Sequence, residues 1–361
     1  MVKKEVAAVC GSEFWNGKRV FITGHTGFKG AWLSYLLLHL GAEVKGYALE
    51  PERAGLFNIL SLDRYMESKI SDIRNFEQLS SDLESHKSDI VIHMAAQPLV
   101  RDSYRMPRYT YDVNFMGTLN LLEAVRNVDS VQSFVNVTTD KVYENKEWMW
   151  GYREDELLGG FDPYSNSKAC SEMVTKCYMN SFFQNKEATA ISTARAGNVI
   201  GGGDFAKERI IPDCYRAAET KDNIIIRNPE SIRPYQHVLD SLNGYLVLAE
   251  KQYSGKERIQ GSYNFGPKEE DCIDTLSLVK YFCDFWGDSL NWGVAEKTEG
   301  FHEAGYLKLD CSKAKESLNW RPRWGIQDAV EKTVEWFKVY QGNGNISSTM
   351  DKQINEFISG E

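Results

Sequence analysis

The stretch Gly24-His25-Thr26-Gly27-Phe28-Lys29-Gly30 narrows the fold more than any other part of the chain. Its three glycines recur at spacing three. They follow the apolar run Arg19-Val20-Phe21-Ile22-Thr23 and precede an apolar helical run, residues 31–40, that Gly41 stops. A strand that turns at once into a helix needs freedom at the bend, which Gly24 supplies. Gly30 lets helix and strand pack closely. Gly27 leaves room for backbone to approach a pyrophosphate, and the unpaired N–H groups of the helix start face it. The arrangement predicts a β–turn–α unit built for a dinucleotide.

The rest of the chain keeps this rhythm. Residues 43–49, 89–93, 133–137 and 188–194 read as strands, and residues 113–125 and 165–180 as helices. Repeated units of this kind give an α/β fold, a Rossmann-type doubly wound parallel sheet covered on both faces. After Gly201 the texture changes to loops rich in glycine, proline and aromatic residues, with helices expected near 213–220, 275–285 and 326–340. This part reads as a smaller α+β substrate-binding lobe. Residues 238–251 (helical) and 262–265 (strand-like) are expected to return to the large sheet. The chain thus divides into a dinucleotide-binding domain, 14–200 with a return of 238–267, and a mainly substrate-binding lobe, 201–361. Residues 1 to about 13 read as a loose tail. Trp32, Tyr35 and Leu36 read as packing residues, Trp148 and Trp150 as a rim.

The net charge of −9 over 361 residues argues against a general nucleic-acid or membrane-surface binder. An anionic substrate then needs a local basic pocket. The longest apolar stretch, residues 31–40, is interrupted by Ser34 and His39 and is too short to span a bilayer. No leader-like segment is expected. Seven scattered cysteines with no CxxC pair and no metal-ligand spacing read as free thiols of a reducing cytosol, and no metal is expected.

Two short motifs carry chemistry. Tyr164 and Lys168 are four apart at a helix start, so they share a face. An ammonium there lowers the phenol pKa, and the tyrosinate takes a proton from a substrate hydroxyl. Tyr65 and Lys69 have the same spacing but lie between the second and third strands, away from the expected crevice. Thr138-Thr139-Asp140-Lys141-Val142-Tyr143 ends an apolar strand, where a parallel strand opens into the crevice. Hydride transfer needs only the Tyr/Lys pair. An added carboxyl acid and amine suggest that the substrate also loses water.

The glycine spacing paired with Tyr-x-x-x-Lys resembles the extended short-chain dehydrogenase/reductase family. Asp72-Ile73, His93-Met94-Ala95-Ala96-Gln97 and Asn114 through Gly117-Thr118 extend the likeness in order over nearly the whole chain. The resemblance implies cofactor contacts from Gly24, His25, Thr26, Gly27, Phe28, Lys29, Gly30, Asp72, Ile73, Ala95, Ala96, Gln97, Asn114, Tyr164 and Lys168. Glu50 is placed to bond ribose hydroxyls, while Lys29 and Arg53 can accommodate a phosphate. The choice of NAD comes from the resemblance. Thr139 matches the position that hydrogen-bonds the reacting hydroxyl, and Asp140 matches the acid of the sugar-nucleotide 4,6-dehydratases. Lys141 departs from the glutamate usual in the dTDP-glucose branch and looks like the CDP-glucose branch.

That likeness implies oxidation at C4, elimination across C5 and C6, and hydride return to C6. Lys141 is either the C5 base or a group that polarises the ketone. Asn198, Arg209, Arg233, Tyr235, His302 and Tyr306 are expected on the nucleotide-sugar side, with Arg233 suited to clamp a pyrophosphate. A homodimer or higher homo-oligomer, through helices beginning near Val113 and Ser165, is also implied. The alternatives are another 4,6-dehydratase, a 4-epimerase, or a non-catalytic dinucleotide-binding regulator. An epimerase needs no elimination, and a regulator needs no intact Thr139, Tyr164 and Lys168.

Overall fold

The computed structural model describes residues 7–184, 189–255, 259–287, 290–295 and 304–360. Its central sheet has seven parallel strands: β1 (Arg19–Thr23), β2 (Glu43–Ala48), β3 (Glu67–Ile70), β4 (Ile90–His93), β5 (Ser133–Val137), β6 (Ala190–Ala196) and β7 (Gly261–Phe265). From edge to edge the order is β7, β6, β5, β4, β1, β2, β3. The chain winds outward from β1 to β3, then crosses back to lay β4 on the other side of β1. That reversal leaves a crevice beyond the carboxyl ends of β1 and β4, where ligands of such sheets bind.

Alternation along each strand feeds two cores. Val20, Ile22, Ile92 and Val135 pack on one face, and Phe21, Val91, Phe134 and Ile191 on the other. With both faces covered, the strands read as continuous apolar runs. The first face is covered by α1 (Phe28–His39) and, later in the chain, the buried helix Val238–Ser254. The opposite face is covered by α2 (Phe76–His86), α3 (Gly117–Arg126) and α4 (Pro163–Phe182). Helix α4 starts sharply because Asp162 accepts the Ser165 N–H at 2.9 Å and Pro163 occupies the first helical position.

The smaller lobe is built around α5 (Ile210–Thr220), α7 (Thr275–Trp286), α8 (Ile326–Gln341) and α9 (Ile346–Ser359), while the helix Val238–Ser254 between them in the chain, α6, is the core helix just named. Tyr215 of α5 stacks on Phe337 of α8 with centroids 4.3 Å apart. Short strand pairs, among them Ile232–Arg233 with Ile273–Asp274, tie its loops together. Helix α6 and strand β7 return to the large sheet, β7 pairing with β6 along its whole length. Among the described residues no helix is long and apolar enough to cross a membrane.

Three differences from the sequence reading have physical causes. The expected tail is packed from residue 7 onward: Cys10 N–H reaches the Asn243 side chain at 2.8 Å, and Trp15, in a short helix Ser12–Trp15, is fully buried. Helix α1 begins at Phe28, so Phe28, Lys29 and Gly30 form its first turn rather than the loop. The helix expected at 113–125 is the end of a longer rod. It runs from Pro107–Tyr111 through a π turn, Asp112–Met116, into α3.

Candidate active site

A cavity of about 820 Å³ lies at the strand reversal and runs from the glycine turn to the smaller lobe. At its floor Gly24 has φ +78°, and a side chain there would strike the backbone of Ala95 at 2.8 Å. A β-carbon on Gly30 would lie 2.0 Å from the Gly24 carbonyl. One on Gly27 would meet nothing closer than 3.6 Å, because that position opens onto the cleft. The turn is therefore a cradle of bare backbone at the start of a helix, suited to a pyrophosphate. Thr26, Phe28, Asp72, Ile73, Ala95 and Ala96 line the same cleft. Asp72 binds Arg74 through both carboxylate oxygens.

Four expected contacts lie elsewhere. His25 turns under the sheet, where Gly46 leaves room for its ring. Its Nε2 meets Ser68 Oγ at 2.7 Å, and burial pushes its pKa down to about 4. Gln97 and Asn114 bond each other, Gln97 N–H to Asn114 Oδ1 at 2.8 Å, and Asn114 also donates to Ser167 of α4 at 2.9 Å. They brace the cleft wall instead of lining it. Tyr306 directs its hydroxyl at the Met149 carbonyl, away from the cavity. His302 lies outside the described residues.

The catalytic candidates converge. β5 ends at Val137, and the chain passes Thr138 and Thr139 into a single 3-10 turn, Asp140–Val142, capped by the Thr139 hydroxyl. Asp140 is buried; its Oδ1 accepts from Thr139 at 3.1 Å and pairs with Lys141 Nζ at 3.6 Å. Its Oδ2 is buried without a hydrogen-bond partner among the described residues. Lys141 is one third exposed and lines the cleft.

Across from this turn, α4 presents Tyr164 and Lys168. Lys168 directs Nζ at the Val137 carbonyl, 3.1 Å away, and burial pushes its pKa down to about 8, against the opposing pull of Glu172. The phenol of Tyr164 differs from expectation. Burial pushes it up to about 12, opposed by its hydrogen bond with Thr139 and by the charge of Arg209, with Asp140 adding to the rise. Thr139 and Arg209 are groups that favour its phenolate.

On the substrate side Asn198, Arg209, Arg233 and Tyr235 all reach the cavity wall. Arg209 pairs with Asp204 at 2.9 Å, and Tyr235 bonds Thr275 at 3.1 Å. Arg233 donates to the carbonyls of Ile232 and Ala304. Asn198 keeps a buried Oδ1 without a hydrogen-bond partner among the described residues. Lys29 is a surprise: its amine is drawn inward to Tyr245 Oη at 2.8 Å, and burial, then Lys168 and Arg209, push its pKa down to about 7. Nothing near Lys29 in sequence announces this, since Tyr245 is 216 residues away.

Comparison with known proteins agrees with this layout. The chain is 48% identical over 351 residues to the CDP-glucose 4,6-dehydratase of Salmonella typhimurium, covering 96% of this chain and 98% of that one. Among solved structures it is similar to a dTDP-glucose 4,6-dehydratase from Streptomyces venezuelae, solved with NAD bound, with a TM-score of 0.77 and 22% identity over 91% of this chain and 99% of that one. It is equally similar to a UDP-glucose-4-epimerase from Stenotrophomonas maltophila, also with NAD bound: TM-score 0.77 and 20% identity, over 91% and 100% of the two chains. Those two likenesses speak to the fold alone, which dehydratase and epimerase share. The family model for GDP-mannose 4,6 dehydratase matches residues 21–333, a span that takes in the glycine turn, the Asp140 turn, α4 and most of the smaller lobe. With both walls of the cleft inside that match, the chain belongs to the GDP-mannose 4,6 dehydratase family, within the extended short-chain dehydrogenase/reductases.

Proposed function

We propose that this protein converts CDP-D-glucose to CDP-4-dehydro-6-deoxy-D-glucose and water, using NAD without net consumption. One observation carries the reading: the Thr139-Asp140-Lys141 turn and the Tyr164/Lys168 helix face one cavity that also holds the glycine turn. The 48% likeness to a CDP-glucose enzyme supports cytidine as the base. Glu50 and Glu52 line the cavity near Thr26 and Leu49, while Lys29 points inward. Acidic residues at that corner suit free ribose hydroxyls and oppose a 2′-phosphate, which favours NAD over NADP.

Bound NAD supplies the acceptor for the C4 hydride and the donor that returns it at C6. Gly24, Thr26, Gly27 and Phe28 would hold its pyrophosphate by backbone, Asp72 and Ile73 its adenine end, and Lys168 its nicotinamide ribose. Tyr164 takes the proton of the C4 hydroxyl, oriented by Thr139. The resulting ketone acidifies the C5–H. Lys141 removes that proton, and Asp140, through its unpartnered Oδ2, protonates the departing C6 hydroxyl. Lys141 then reprotonates C5, and Tyr164 and Asp140 regain their starting protonation states by exchange with solvent, so the balance is loss of one water.

Residues 14–200 with 238–267 would form the cofactor unit and the remainder of 201–361 the substrate lobe. Exposed Met116, Met173 and Phe182 on the outer faces of the π turn and α4 support a homodimer through these helices. We infer a cytoplasmic role in deoxysugar synthesis for a surface polysaccharide such as O-antigen. Incubation with CDP-, dTDP-, GDP- and UDP-glucose, followed by mass analysis for loss of one water, tests the reading. Product from CDP-glucose is expected; product from another nucleotide sugar alone overturns the cytidine assignment.

A further inference from the structure

Directly behind the catalytic turn sits a buried ion pair that the chemistry above does not use. Glu172 of α4 and Arg195 of β6 are each 2% exposed. They are joined twice, Nε to Oε1 at 2.9 Å and Nη2 to Oε2 at 3.0 Å. Glu172 also accepts from the hydroxyls of Thr138, Thr193 and Ser262. Arg195 Nη1 donates to Tyr143 Oη at 2.8 Å and to the Glu154 carbonyl at 3.0 Å. Burial alone would raise the Glu172 carboxyl, but the Arg195 charge and these hydrogen bonds outweigh it and hold it below the usual carboxylate range.

The placement of these partners matters. Thr138 immediately precedes Thr139, and Tyr143 immediately follows the Asp140–Val142 turn. The pair therefore grips both flanks of the turn, the carboxylate on one side and the guanidinium on the other. Glu172 itself lies one helical turn beyond Lys168 on the helix that carries Tyr164. A buried ion pair returns little net stability, because desolvation offsets most of the attraction, but its bidentate geometry is stiff.

We propose that the Glu172–Arg195 pair is a positioning device that fixes the acid and amine of the elimination turn relative to the oxidising helix. The inference rests on the dehydratase reading. A short, irregular turn cannot hold Asp140 and Lys141 by regular backbone pairing, and displacement of a reacting group by about 1 Å can cost about a hundredfold in rate. The pair also sets charge. Lys168 faces Glu172 on its own helix, Lys29 of α1 and His93 of β4, and Glu172 is the one that favours its ammonium.

Thr138→Val cuts the grip on the leading flank of the turn while leaving Glu172 its contacts to Arg195, Thr193 and Ser262. In the holoenzyme mixed with CDP-glucose, the rise of reduced-cofactor absorbance should slow less than its fall. Its decay should slow by about tenfold or more. Thr138→Ser should restore the decay. Glu172→Gln should in addition move the alkaline limb of the pH–rate profile to lower pH, because Lys168 loses its supporting charge. Should Glu172→Gln fail to fold, the two Thr138 variants still decide. Wild-type decay in Thr138→Val, or equal slowing of both phases without rescue by serine, overturns the proposal. If the wild type itself yields no dehydrated sugar, the dehydratase reading fails and takes this inference with it.

Discussion

The two walls of the cleft hold their proposed proton-transferring groups by opposite means. Tyr164 and Lys168 stand on a helix of 20 residues, capped by Asp162 and packed along its length. Asp140 and Lys141 stand on a turn of three residues with one side-chain cap, Thr139. The helix wall takes its precision from regular backbone hydrogen bonds. The turn wall takes it from side chains, Thr138 and Tyr143 held by the buried Glu172–Arg195 pair. Chemistry shared across a superfamily can ride on the regular element. On the proposed reading, chemistry that separates one reaction from another rides on the irregular one, where a residue can change without disturbing the sheet.

The largest effect is expected at the helix. Tyr164→Phe removes the phenol that bonds Thr139 in the cleft and should lower turnover by about 10³-fold. No reduced cofactor should form on mixing with substrate, since the first proton has nowhere to go. Asp140→Asn strikes the turn instead. It should lower turnover by about 10²-fold while the first oxidation proceeds, so reduced cofactor accumulates. Rapid mixing with absorbance detection separates the two patterns. If both variants block the same phase, the walls do not divide the reaction and the comparison fails.

Legibility in the sequence followed the same division. β1 and β5 were readable to the residue, because fully buried strands are continuous apolar runs between a tail of polar residues and a turn. Tyr164 and Lys168 were readable because helical spacing is local. What long-range packing decides was not. His25 leaves the cleft because Gly46, on the next strand, offers a void. Trp15 is core because the helix Val238–Ser254 returns to its segment, Asn243 taking the Cys10 N–H and Tyr253 meeting Phe14. α9 was not anticipated, and the π turn that aims Asn114 at Gln97 has no signature in spacing. Arg195 and Glu172 are 23 residues apart on different elements, so neither predicts the other.

Protonation sharpens the contrast at intermediate size. Lys168 is held down to about 8 by burial, so its ammonium is present below that pH and lost above it. Activity that needs the ammonium should be flat below about 8 and fall by up to about tenfold per unit above it. Lys168→Met should lower the plateau and erase that limb, whereas Lys141→Met should leave the limb in place and abolish exchange of the C5 hydrogen with deuterated solvent. A limb that survives Lys168→Met assigns the titration to another group, with Lys29 at about 7 the nearest candidate.

The smallest effect belongs to the copy of the motif outside the cleft. Tyr65 and Lys69 repeat the Tyr-x-x-x-Lys spacing, but Tyr65 is 69% exposed and Lys69 sits on the edge strand β3. Lys69 and Tyr65 therefore do not share a helical face at all, and neither is among the residues lining the cavity at the strand reversal. Tyr65→Phe should leave turnover, the pH limb and the reduced-cofactor transient unchanged, and stability within about 0.5 kcal/mol by thermal melting. A loss of activity there would mean that spacing carries the chemistry without the helix and the crevice. The difference between the two Tyr/Lys pairs lies in what each is mounted on, which is the same property that separates α4 from the Asp140 turn.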